Sequence, residues 1–168
     1  MNYKIIHIFL FISSFFTISC FYSFTGSSLD PRIETINIEQ FPNYSSYQNP
    51  NYSQEFSNDL QLRFDQRTNL TLTNDDDAHI KLEGEIMDYY VAPAAIVSGE
   101  QAALNRLHIQ IRVRYYNSID DAKSFTRTFS DYEDFPSNQT LQQVESQLVP
   151  EINTRLIDQI FTAIVADW

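Results

Sequence analysis

Residues 107–116 read LHIQIRVRYY, and this stretch decides the fold. Leu107, Ile109, Ile111, Val113 and Tyr115 fall on one side of an extended chain. Arg106, His108, Gln110, Arg112 and Arg114 fall on the other. A strict period of two means a strand with one apolar face and one wet face, because successive side chains leave an extended backbone in opposite directions. Such a strand needs neighbours to complete its hydrogen bonds and a second layer to cover its apolar face.

The neighbours lie on either side in sequence. AHIKLEGEIMDYYV (78–91) sets Ile80, Leu82, Gly84 and Ile86 against His79, Lys81, Glu83 and Glu85. After LHIQIRVRYY comes a turn, NSIDDA, and then a partner strand, KSFTRTFSDYEDF (123–135). There Phe125 and Phe129 share a face and trap Arg127 between them, a conflict that a bulge would resolve. The stretch between the first two strands, APAAIVSGEQAA (92–103), is a small-residue loop.

Further out, RIETINIEQF (32–41) favours another strand through Ile36 and Ile38, and PNYSSYQNP (42–50) is a Tyr-bearing loop. A helix is expected from Asn49-Pro50, an N-cap followed by Pro in the first turn, to near Asn69, with Tyr52, Phe56, Leu60 and Phe64 as its apolar stripe. LTLT (70–73) is a candidate short strand. NDDD (74–77) is a turn that lacks the spaced ligands and Gly of a calcium loop. The tail is a long amphipathic helix striped by Leu141, Val144, Leu148, Ile152, Leu156, Ile160, Ile164 and Trp168. Thr140 with Gln143 forms a capping box, and Pro150 predicts a kink or two helices in line. The element order β-α-(β)-β-β-β-α therefore gives an α+β class: a two-layer sandwich whose mostly antiparallel four-stranded sheet carries two amphipathic helices packed on one face. The other sheet face is polar and meets solvent or a partner.

Ahead of this domain the chain reads as an export signal. Lys4 supplies the charge, IIHIFLFISSFFTIS the apolar run, and Ser19 the small residue before Cys20. The clean apolar run is too short for the roughly 20 residues of a bilayer span. Cys20 is the chain's only cysteine, so a disulfide-stapled secreted fold is excluded. Ser19-Cys20 resembles the lipobox of bacterial lipoproteins, in which the cysteine is acylated (palmitate among its chains) and becomes the new N-terminus. Thr17 stands where that signature favours Leu. Residues 1–19 are then a signal peptide, 20–31 a lipidated N-terminus and tether, and 32–168 one sandwich domain. Four N-x-S/T matches, at Asn43, Asn51, Asn69 and Asn138, keep a eukaryotic secreted context as the alternative.

The formal charge of −11 makes a general nucleic-acid binder a poor reading. The basic residues nevertheless cluster, five of them between Arg106 and Arg127 against Asp120 and Asp121. No phosphate-binding Gly loop, H-E-x-x-H or G-x-S-x-G motif is present, so no catalytic residue, metal ligand or cofactor is assigned and an enzyme is not expected. The best binding feature is the polar side of the central strands: Arg106, His108, Arg112 and Arg114, with Lys81 if the strands adjoin. Arginine there suits bidentate contact with phosphate. The competing reading is a solvated face carrying cross-strand salt bridges to Glu83 and Glu85.

Taken together, YSFTG, IETINIEQFPN, NPNYSQEFSNDLQLRF, LEGEIMDY, AALNRLHIQIRVRY, FSDYEDF and VADW resemble the LPS-assembly lipoprotein LptE family in its Bacteroidota-type form. The resemblance covers residues 20–168. It implies a lipid-anchored protein at the inner leaflet of the outer membrane of a Gram-negative bacterium. Such a protein faces the periplasm, plugs and helps assemble the β-barrel translocon LptD, and binds lipopolysaccharide during its insertion into the outer leaflet. It also implies a two-layer α/β sandwich and Cys20 as the acylation site. The loop 92–103 and the Tyr-rich loop 42–52 are the expected barrel contacts, since aromatic residues are enriched in interface cores. The alternative is a periplasm-facing lipoprotein adaptor, or a ligand-binding module of another envelope machine.

Overall fold

The structure, a computed structural model, describes residues 29–47, 49–94 and 104–166. The signal segment, Cys20, most of the tether, loop residues 95–103 and Trp168 lie outside these. The elements are β1 (Thr35–Ile38), α1 (Tyr52–Arg67), β2 (Thr71–Leu72), β3 (Ile80–Pro93), β4 (Leu104–Asn117), a 3-10 turn (Asp121–Lys123), β5 (Phe125–Pro136) and α2 (Leu141–Val165).

Among the described residues the strands form one sheet in the order β2-β1-β3-β4-β5. This is the expected α+β class with five strands rather than four, because LTLT contributes a two-residue edge strand. The three long strands are antiparallel, joined by direct reversals of the chain. β1 instead runs parallel to both β2 and β3, since α1 carries the chain back to the end from which β1 started.

The inner face is the one read from the alternation. Ile80, Leu82 and Ile86 of β3 and Leu107, Ile109, Ile111 and Val113 of β4 are wholly buried. Tyr52, Phe56, Leu60 and Phe64 of α1 and Ile152, Leu156 and Ile160 of α2 close over them in one continuous core. Burying each such side chain stabilises the fold by about 1.5–3 kcal/mol before entropy is counted.

Four local expectations change. α1 starts at Tyr52, with Asn51 as its N-cap. The Asn49 side chain instead accepts from the Asn51 N–H at 3.1 Å and holds the turn just ahead. α2 runs unbroken past Pro150. Pro150 and Ser146 are both exposed, so the carbonyl that proline leaves without a helix donor faces water. β5 needs no bulge, because its register with β4 is regular from Leu104↔Pro136 to Tyr115↔Phe125. Arg127 is exposed, and its guanidinium lies 4.9 Å over the Phe125 ring; on an edge strand the long side chain can leave the core. The bulge is in β3 instead. Ile86 pairs with Ile111 and Asp88 with Gln110, so Met87 is the extra residue. Beyond it the inward set moves from even to odd positions, and Tyr89 becomes a core residue, 1% exposed.

α2 reaches the edge strand β5 through Arg155. Arg155 donates to Asp131 at 3.1 Å, to Glu133 at 2.9 Å and to the Tyr132 carbonyl at 2.8 Å, the last a backbone acceptor that would otherwise invite another strand.

Candidate functional site

The outer sheet face has no covering layer among the described residues. It carries Lys81, Arg106, His108, Arg112 and Arg114, the five residues singled out by sequence. The cross-strand register brings them into two groups.

The first group is an ion-pair lattice. Glu83 is directly opposite Arg114, and Glu85 opposite Arg112. Arg112 Nη1 donates to Glu85 at 2.9 Å; Arg114 Nε reaches Glu83 at 3.3 Å and its Nη1 lies 3.7 Å from Glu85. Lys81 joins from its own strand, 2.9 Å from Glu39 on the β1 side, 3.2 Å from Glu83 and 3.5 Å from Asp76. Hydrogen bonds to Glu39 and Glu83 hold the Lys81 ammonium above its usual range. Partly exposed pairs like these contribute about 0–1 kcal/mol each, so the lattice fixes geometry more than it stabilises the fold.

The second group lies at the far end of the face. Arg106 grips Asp134 of β5 through two hydrogen bonds, 2.7 and 3.0 Å, and its guanidinium stacks 3.7 Å from the Tyr132 ring centroid. The same hydrogen bonds pull the Asp134 carboxyl below the usual carboxylate range and raise Arg106. His108 lies between Tyr90 and Tyr132, opposite each in register. Its ring is 5.1 Å from that of Tyr90. Sequence reading missed Tyr90, Tyr132 and Asp134. Counting the hairpin register outward from the NSIDDA turn would have placed Tyr132 beside His108.

His79 is not part of this face. It precedes β3, and its Nδ1 accepts from the Glu34 N–H at 3.0 Å, tying the start of β1 to β3. The Tyr-rich loop is pinned inward. Tyr47 stacks on Tyr89 at 5.1 Å, and Glu145 of α2 accepts from Tyr89 (2.5 Å), Asn49 (3.0 Å) and Tyr47 (3.3 Å). Tyr44 projects outward, 69% exposed. The loop residues 95–103 lie outside the described residues. Among the described residues no cluster of three His, Cys, Asp or Glu side chains is placed to hold a metal ion, and no helix is long and apolar enough to cross a membrane.

The family model described as LptE, lipopolysaccharide-assembly, matches residues 33–164. None of the curated proteins compared matches the chain. Among solved structures, a minor lipoprotein from Acinetobacter baumannii superposes with a TM-score of 0.54 at 16% identity, covering 80% of this chain and 94% of that one. A hypothetical protein from Chlamydia trachomatis superposes with a TM-score of 0.51 at 11% identity, covering 80% and 99%. At these identities the two structures show a shared fold.

Proposed function

Because the chain belongs to the LptE lipopolysaccharide-assembly family, we propose that it is a non-enzymatic outer-membrane lipoprotein that plugs and helps assemble the LptD barrel and binds lipopolysaccharide on its way to the outer leaflet. The family match across nearly the whole sandwich, residues 33–164, carries the reading. In this reading residues 1–19 direct export, acylated Cys20 holds the protein to the inner leaflet of the outer membrane, and the tether lets the sandwich reach into the barrel lumen. More than one acyl chain makes such anchoring stable, at about 0.8 kcal/mol per buried methylene.

The uncovered sheet face supplies the surface for lipopolysaccharide. Its cations Lys81, Arg106, Arg112 and Arg114, with His108, are the proposed headgroup contacts. Arg112 donates to Glu85 through Nη1, and the guanidinium carries further N–H donors, so a phosphate can be added without breaking that pair. Contact of Tyr44, the exposed ring of the Tyr-rich loop, and of residues 92–103 with the barrel wall completes the plug.

Purification of the acylated protein from native membranes in mild detergent tests this reading. A large outer-membrane barrel co-elutes, with lipopolysaccharide retained. A protein that never retains a barrel refutes the plug role. Arg112→Glu with Arg114→Glu weakens lipopolysaccharide retention while the far-ultraviolet circular dichroism stays that of the wild type. Unchanged retention reduces those arginines to surface charge.

A further inference from the structure

Three neighbouring strands each place one ring in the same transverse row of the outer face: Tyr90 of β3, His108 of β4 and Tyr132 of β5, paired directly in register. Tyr90 and Tyr132 are 46% and 47% exposed. Neither hydroxyl makes a hydrogen bond among the described residues. His108 Nδ1 is the one buried side-chain polar atom without a partner among the described residues, so no hydrogen bond at that nitrogen fixes the tautomer of the ring there. At the end of the row the Arg106–Asp134 pair presents a flat guanidinium and a carboxylate at 2.7 Å.

The row differs in kind from the lattice higher on the face. Its one cation is held by a bidentate carboxylate and stacked on Tyr132; the lattice cations are paired with carboxylates as well, so it is the rings that set the row apart. It offers aromatic faces, free hydroxyls and a neutral pair of planar donor and acceptor groups. Sugars match this set. Their C–H faces lie on aromatic rings, and their vicinal hydroxyls bridge carboxylate and guanidinium oxygens and nitrogens. Two strand spacings separate Tyr90 from Tyr132, about 10 Å, a distance that two linked hexoses bridge.

We propose that the Tyr90–His108–Tyr132 row, with Arg106 and Asp134, binds an uncharged stretch of saccharide. The proposal rests on the lipopolysaccharide reading for its source of sugar and divides the outer face in two. Of the five headgroup contacts proposed above, Lys81, Arg112 and Arg114 keep the anionic headgroup, and Arg106 and His108 pass to the glycan end.

The test uses the full acylated protein in detergent, titrated calorimetrically with lipid-free core oligosaccharide stripped of its phosphates, and in parallel with intact lipopolysaccharide. The wild type binds the stripped oligosaccharide. Tyr90→Ala with Tyr132→Ala weakens that binding about tenfold or more. Tyr132→Phe, which keeps the ring, retains it, and Arg112→Glu with Arg114→Glu leaves it unchanged. Both tyrosines are on the solvent side, and Tyr132→Phe separates a lost ring from a disturbed fold. If intact lipopolysaccharide binds and the stripped oligosaccharide does not, the function stands and the saccharide row is overturned. If the oligosaccharide binds and intact lipopolysaccharide does not, the row stands and the lipopolysaccharide role falls. Oligosaccharide binding unaltered by the double alanine variant also overturns the row. So does a double variant that loses only the barrel partner, since the row is then a protein interface.

Discussion

Gly84 offers the sharpest test of how the two layers meet. It occupies an inward position of β3, where every other residue before the bulge carries a large side chain. Phe41 fills the space instead. A Cβ on residue 84 would lie well inside van der Waals contact of Phe41 Cε1, 2.6 Å from Phe41 Cδ1 and 2.5 Å from the Arg112 carbonyl oxygen of the paired strand. Neither neighbour can yield easily. Phe41 is wholly buried, packs 5.6 Å from Phe56, and is held at both backbone ends: its N–H donates to Ser57 Oγ at 2.9 Å and its carbonyl accepts from Ser53 Oγ at 2.6 Å. The Arg112 carbonyl belongs to the sheet. Gly84→Ala therefore costs near the top of the overpacking range, about 3 kcal/mol. For a domain of this size that lowers Tm by roughly 10 °C. Urea unfolding measures the cost directly. Phe41→Leu provides a second arm: it makes room beside residue 84, so the double variant is more stable than the two single losses added together, by about 1 kcal/mol. A Gly84→Ala protein within about 0.5 kcal/mol of wild type would refute the close packing of Phe41 on β3.

Alkaline stability follows from the buried tyrosines. Burial, then the charges of Asp59 and Glu55, raises Tyr52 far above its ordinary range; burial, then the hydrogen bond to Glu145, does the same to Tyr89. The folded chain keeps both protonated while the unfolded chain ionises near pH 10, so their contribution is complete below pH 10 and declines above it, about 1.4 kcal/mol per pH unit for each. Urea midpoints from pH 8 to 11 show this slope, and Tyr52→Phe removes one tyrosine's share; an unaltered slope in that variant contradicts the assignment. Pro150→Ala restores a donor to the Ser146 carbonyl on an exposed helix face and stabilises the fold by about 1 kcal/mol or more, read as a higher Tm; a lower Tm would mean that the proline ring itself is needed. Exchanging the partners, Glu85→Arg with Arg112→Glu, keeps stability within about 0.5 kcal/mol of wild type, whereas Arg112→Glu alone faces Glu85 and costs more; equal costs for the two proteins would show that the pair is not coupled.

The face of each long strand was legible because period-two alternation is a local property, and LHIQIRVRYY keeps it for ten residues. The stripes of α1 and α2 were legible for the same reason, as were the Thr140–Gln143 cap, where the Thr140 N–H donates to Gln143 Oε1 at 2.8 Å, and the cross-strand charges of Glu83 and Glu85. Met87 was not legible as a bulge. An extra residue shows only when a second strand supplies the count against which it is extra. Arg127 misled because an inward register position implies burial only where a second layer extends over the strand.

What the sequence determined alone is therefore short-range: which segments extend or coil, which side of each is apolar, and that one sheet face is polar. Its charge pattern also marked the five candidate residues. The tertiary structure decided what those residues do to one another. Register set Arg112 and Arg114 against glutamates, bound Arg106 to an aspartate 28 residues away on β5, and aligned Tyr90, His108 and Tyr132 from three strands into one row. The reason is physical: side-chain direction is fixed by the local backbone, whereas the neighbours of a side chain on a sheet are fixed by hydrogen bonds between strands that are distant in the chain.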